Sequence, residues 1–118
     1  PLRTSKHIDE AISLFREKEA KAVVSYCKEY HSIFWHKKVD KQGKIVNLFE
    51  GDFSKNRQEI EETYFPNGAI YVFNKNYIFG TKDYSNDCYA YIMDRKYSID
   101  IDTIDDFLYA EFLINLKN

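Results

Sequence analysis

The chain has 118 residues, 44% of them hydrophobic and 17% aromatic, which suits one packed domain and excludes a disordered tail. Seventeen basic residues against nineteen acidic ones leave a net charge of −2. No global field therefore draws in nucleic acid or an anionic membrane, and any phosphate must be bound locally.

Taken in order, Thr4 or Ser5 can cap a helix in which Ile8, Ala11, Ile12 and Phe15 fall at helical spacing, with Asp9 and Glu10 near its positive end. The run Lys18-Glu19-Ala20-Lys21 closes it, and Ala22-Val23-Val24-Ser25-Tyr26-Cys27 reads as a strand apolar on both faces. From Lys28 the composition changes. Trp35 to Val39 and Lys44 to Phe49 flank Asp40-Lys41-Gln42-Gly43, a hairpin in which Gly43 takes a left-handed turn conformation. Residues 51–62 continue as a polar linker, so that roughly 28–62 reads as an arm.

A second apolar strand is expected over residues 68–73, then a short helix or turn over 74–79 and a polar loop to Asp87. Cys88 to Met93 reads as a strand, Asp94-Arg95-Lys96 as a charged turn, residues 98–101 as a short strand and residues 103–116 as the last helix. This alternation of helix and strand predicts an α/β sheet with helices on its faces. Cys27 and Cys88 lie in apolar runs without metal-type spacing, so thiols are expected rather than a disulfide, in keeping with a cytoplasmic protein. No apolar run has the length of a membrane span, and the first residues carry no signal-peptide pattern.

The chemistry concentrates in Ser98-Ile99-Asp100-Ile101-Asp102-Thr103. In an extended segment Asp100 and Asp102 project to one side, and two hard oxygen donors so close suit a hydrated Mg²⁺ that also carries phosphate oxygens. The bland alternative is an acidic helix entry, since Thr103 and Asp106 fit a capping box. His7, His31 and His36 show no zinc-type spacing.

Asn67-Gly68-Ala69-Ile70-Tyr71, Tyr91-Ile92-Met93 and the Ser-Ile-Asp-Ile-Asp-Thr string with Asp106-Phe107 resemble the closing half of the acylneuraminate cytidylyltransferases. Pro1-Leu2-Arg3-Thr4, Val23-Val24-Ser25 and Arg57-Gln58 extend the resemblance over nearly the whole chain. It implies the C-terminal part of a Rossmann-like nucleotide-sugar transferase fold. The whole enzyme would transfer CMP from CTP to a nine-carbon 2-keto sugar acid and release pyrophosphate. Its CTP-binding N-terminal part is absent from this sequence, so the chain alone is expected to be inactive.

By the same resemblance Asp100 and Asp102 hold Mg²⁺ and are the catalytic pair. Arg57 and Gln58 lie on an arm that reaches across a homodimer, with Arg57 as a forked donor to an oxyanion. Asn67 and Tyr71 line the sugar site, Tyr84 joins them from the following loop, and Arg3 stands beside it. Plainer alternatives are packing for the tyrosines, a solvated charge for Arg57 and a helix-entry charge for Arg3. Asp94 stands where similar sequences carry proline, and Ile104-Asp105-Asp106-Phe107 where they carry Glu-Leu-Asp-Phe, which leaves the exact sugar open. A rival class is a sugar-acid-binding or dimerisation module without turnover.

Overall fold

A computed structural model describes residues 1–50, 61–80 and 86–116. In chain order the elements are α1 (Ser5–Glu17), β1 (Ala22–Lys28), a 3₁₀ turn (Ile33–Trp35), β2 (Lys37–Val39), β3 (Ile45–Asn47) and β4 (Tyr64–Phe73). They continue with α2 (Lys75–Ile78), β5 (Cys88–Ile92), a second 3₁₀ turn (Arg95–Tyr97) and α3 (Ile104–Asn115). The chain divides into two compact units, Pro1–Cys27 with Phe65–Asn118, and Lys28–Tyr64.

The first unit is an α/β layer. Its three-stranded sheet has the order β4-β1-β5. β1 and β5 are parallel, with Val23 opposite Tyr89 and Val24 opposite Ala90. β4 runs the other way along β1, since Asn74 N–H donates to Lys21 O at one end (2.8 Å) and Glu29 N–H to Thr63 O at the other (2.8 Å). As the central strand, β1 is buried almost throughout. Its Val23 joins Ala11 and Ala20 with Ile70 and Met93 in the core, where Leu14 and Phe15 of α1 also pack. A hydrogen bond from Tyr91 to Glu10 ties β5 to α1; it lowers the Glu10 carboxyl below its ordinary value and, with burial, raises the Tyr91 phenol.

Helix α1 ends in a Schellman motif: Ala20 N–H bonds Phe15 O at 3.0 Å and Glu19 N–H bonds Arg16 O at 3.2 Å. The residue in the left-handed region is Glu19, φ 48, where glycine would carry no Cβ penalty. Glu19→Gly is expected to stabilise the fold by about 0.5 to 1 kcal/mol, the relief of that penalty less the greater freedom glycine has when unfolded. The denaturant midpoint measures it.

The second unit contains the expected hairpin. β2 and β3 pair antiparallel, Val39 opposite Ile45, and Gly43 sits at φ 82. Asp40 organises the turn through its side chain, Oδ1 accepting from the N–H of Gln42 and of Lys44 at 2.9 Å each. Phe34 and Phe49 pack at 5.8 Å between ring centroids, and Lys28 pairs with Glu62.

Two expectations need correction. β4 begins at Tyr64, ahead of the expected start at Gly68. Residues 98–101 form no strand, because the Arg95–Tyr97 turn and Ser98 at φ −105, ψ 25 turn the chain out of the extended conformation. Strand alternation therefore does not place Asp100 beside Asp102. The last helix is as expected, but of its large apolar residues Leu108, Tyr109 and Phe112 are about half exposed and only Ala110 among its described residues is buried. Among the described residues no helix is long and apolar enough to cross a membrane.

Candidate functional site

The site is built where β4 changes direction. Asn67 and Ile70, three residues apart, are both buried, which regular strand alternation does not allow. Gly68 supplies the irregularity with φ 68, and the Ile70 N–H finds the Ser25 hydroxyl at 2.7 Å. The geometry is that of a bulge marked by glycine.

Ser25, fully buried in the apolar β1, donates to Asn67 Oδ1 at 2.6 Å. The same oxygen accepts from Ala69 N–H at 3.2 Å. On its other side Asn67 donates through Nδ2 to Ser98 Oγ at 2.9 Å, and Ser98 Oγ donates to Asp94 O at 2.9 Å. One buried amide thus joins the central strand, the bulge and the start of the acidic string. Buried polar groups of this kind stabilise only when their partners are present.

Asp100 follows Ser98 by two residues and returns to the bulge. A Cβ placed on Gly68 would lie 3.2 Å from Asp100 Oδ2, so the glycine leaves room for the carboxylate as well as supplying the turn. The far end of the string is held by α3. Thr103 is the N-cap, and Asp106 Oδ2 accepts from Thr103 N–H (2.8 Å), Thr103 Oγ1 (2.7 Å) and Asp102 N–H (3.2 Å). These bonds hold the Asp106 carboxyl below its ordinary value, the Thr103 hydroxyl having the largest effect. Asp100 and Asp102 therefore lie, both exposed, on an irregular segment pinned at each end.

The depressed Asp106 carboxyl has a consequence for folding. The folded protein binds that proton less tightly than the unfolded chain, so the stabilisation is full above the ordinary value, 3.8, and is lost as pH falls through the lowered one. Glu10 adds to it in the same direction below 4.5. The melting temperature is expected to fall at acid pH, and to fall less steeply in Asp106→Asn, as a pH series of thermal melts would show.

The expected site residues fall into four groups. Asn67, Asp100 and Asp102 are gathered at the bulge and the string after it. Tyr71, half exposed, lies further along β4 and stacks on Phe73 at 6.0 Å, and Phe73 stacks on Tyr77 at 5.8 Å. Arg3 is exposed just before the α1 cap; the neighbouring Thr4 N–H donates to His7 Nδ1 at 3.0 Å, and the His7 ring meets Tyr97 edge-on at 4.6 Å. His7 thereby brings the N-terminal segment to the turn that precedes Ser98. Arg57, Gln58 and Tyr84 lie outside the described residues.

Sequence reasoning missed Ser25, Ser98 and His7 as organisers of the site. A signal existed for Ser25, a hydroxyl inside an otherwise apolar strand, which must find a partner when buried. As donors, Asp100 and Asp102 offer carboxylate oxygens open to solvent, and no group of three possible His, Cys, Asp or Glu metal ligands occurs among the described residues. That set fits Mg²⁺, which takes one or two carboxylates and completes its shell with water and phosphate oxygens.

No family model matches the chain. Among curated proteins it is 37% identical over 121 aligned residues, all of this chain, to an N-acylneuraminate cytidylyltransferase of Escherichia coli O18:K1:H7. It is 35% identical over 112 residues, 93% of this chain, to the N-acylneuraminate cytidylyltransferase of Streptococcus agalactiae serotype III. A CMP-N,N'-diacetyllegionaminic acid synthase of Campylobacter jejuni is 36% identical over 64% of the chain and 32% of its own length. The chain spans 27% to 28% of the length of the first two. The similarity that the Asn-Gly-Ala-Ile-Tyr and Ser-Ile-Asp-Ile-Asp-Thr strings imply thus holds over 93% to 100% of the chain, which is similar to about a quarter of the length of these two N-acylneuraminate cytidylyltransferases.

Proposed function

We propose that the chain is the C-terminal part of a cytidylyltransferase of Rossmann-like nucleotide-sugar transferase fold that moves CMP from CTP to a nine-carbon 2-keto sugar acid. The observation that carries the reading is the double anchoring of the acidic string. Ser98 is held from the bulge and Thr103 by Asp106, so Asp100 and Asp102 are presented to solvent on a fixed backbone. In the reaction the anomeric hydroxyl of the sugar acid forms a bond from its oxygen to the α-phosphorus of CTP and gives up its proton to solvent. The bond from that phosphorus to the bridging oxygen breaks, and pyrophosphate leaves with the electron pair.

Mg²⁺ held through Asp100 and Asp102 would offset the phosphate charge during transfer. The chain's own residues position: Asp106 and Asn67 fix the string, and Tyr71 offers an aromatic wall on the sheet. Arg3 would supply a cation beside the same segment. Arg57, Gln58 and Tyr84 keep, by resemblance, their assignment to the sugar and phosphate side. The half-exposed apolar residues of α3 support a larger protein around this piece. We also assign the Lys28–Tyr64 unit to contact between two subunits, on the exposure of Val39 (67%) and Ile45 (68%) at the hairpin. A reducing cytoplasm would suit the two thiols.

The test is pyrophosphate release from CTP, a sugar acid and Mg²⁺, measured for the full-length protein and for this chain alone. Turnover is expected in the first and none in the second, because transfer depends on positioning and no glycine-rich phosphate loop occurs in this sequence. No turnover by the full-length protein with any nine-carbon sugar acid would reject the reading in favour of a binding module.

A further inference from the structure

We propose that Asn67 is a positioning residue for Asp100, acting through a double clamp, and that it does not itself bond the substrate. The inference rests on the reading of Asp100 as a ligand for the metal and phosphate. Asn67 is 5% exposed, and both ends of its amide are engaged: Oδ1 by the Ser25 hydroxyl and Ala69 N–H, Nδ2 by Ser98 Oγ. The second Nδ2 hydrogen faces Met93 Sδ at 3.5 Å, so a ligand could take a hydrogen bond from this buried amide only by displacing Ser98 or Met93. Meanwhile the residue after Asn67 leaves the space beside the Asp100 carboxylate open, since a Cβ on Gly68 would stand 3.2 Å from Asp100 Oδ2. The Asn67–Ser98 hydrogen bond therefore fastens the bulge to the acidic string two residues before Asp100, and the bare glycine beside it leaves the carboxylate its place.

The amide also explains the serines. Ser98 has its hydroxyl proton on Asp94 O, so it receives the Asn67 N–H as a pure acceptor. Ser25 spends its proton on Asn67 Oδ1 and accepts from Ile70 N–H. The Ala69 N–H on Oδ1 fixes the amide so that Nδ2 faces the string.

The experiment is Mn²⁺ binding to the full-length protein with CTP, read from the electron-spin resonance of the unbound ion, beside steady-state kinetics at varied Mg²⁺. Asp100→Asn tests the underlying reading: unchanged Mn²⁺ affinity would reject Asp100 as a ligand and the clamp with it. Ser98→Ala removes the acceptor while leaving Asp100 in place, and should weaken Mn²⁺ binding about tenfold, the usual effect of losing an orienting partner. Ser98→Thr keeps the hydroxyl and should restore binding. Asn67→Ala should weaken Mn²⁺ as Ser98→Ala does, with KM for the sugar acid little changed. Glu10→Gln, which loosens α1 from β5 away from the string, should lower stability without moving Mn²⁺ affinity. Normal Mn²⁺ affinity in Ser98→Ala, with Asp100→Asn defective, would overturn the clamp alone. A large rise in sugar-acid KM in Asn67→Ala with normal Mn²⁺ binding would make Asn67 a substrate ligand instead.

Discussion

Replacing Asp100 by Asn in the full-length protein is expected to lower CMP transfer by about 100-fold or more, the scale of losing one preorganised charge interaction with a reacting oxyanion. Asp102→Asn should act in the same direction. Both side chains are exposed, and Asn keeps the shape, so neither variant should unfold the protein. The loss should appear as a raised Mg²⁺ requirement and a lower kcat, since a carboxylate has been exchanged for a neutral oxygen donor. Pyrophosphate release across a Mg²⁺ series measures both. Full turnover by the two variants at ordinary Mg²⁺ would remove the aspartates from the chemistry and leave them as the acidic entry to α3.

Much of the local structure in both units was legible because it depends on local rules. The Asp40-Lys41-Gln42-Gly43 turn, the Thr103 cap with Asp106 three residues on, and the apolar β1 each follow from residue types at fixed offsets. What failed was the strand over residues 98–101. Alternating Ile and Asp gives the right period for an extended segment, but the period does not say whether a neighbouring strand is present to receive it. Here the backbone turns at Ser98, and the string is held instead by the side chain of Asn67, itself bonded by Ser25, and by that of Asp106. Two of these partners are distant in sequence, and no local rule joins position 25 to position 67. The bulge was hidden for a related reason: a glycine near the start of an apolar run reads as a strand opening, and only the burial of both Asn67 and Ile70 shows that the alternation slips there.

Gly68 should be the least replaceable residue of the bulge, and its two roles can be separated. Gly68→Ala puts a Cβ on a backbone with φ 68, at a cost of about 1 to 2 kcal/mol. The same Cβ would meet Asp100 Oδ2 at 3.2 Å, tighter than ordinary contact, and an exposed carboxylate yields more easily than the backbone. The side chain should therefore swing away, so that activity falls well beyond what the lost stability explains. Gly68→Asn tells the two effects apart, because asparagine tolerates the left-handed region while still carrying a Cβ. Its melting temperature should lie closer to that of the parent protein than that of Gly68→Ala, yet its Mg²⁺ requirement should stay as high. Thermal melts and Mg²⁺ titrations of turnover on the same preparations decide it. If Gly68→Asn recovers turnover together with stability, the glycine serves the bend alone and the approach of Asp100 to it has no part in catalysis.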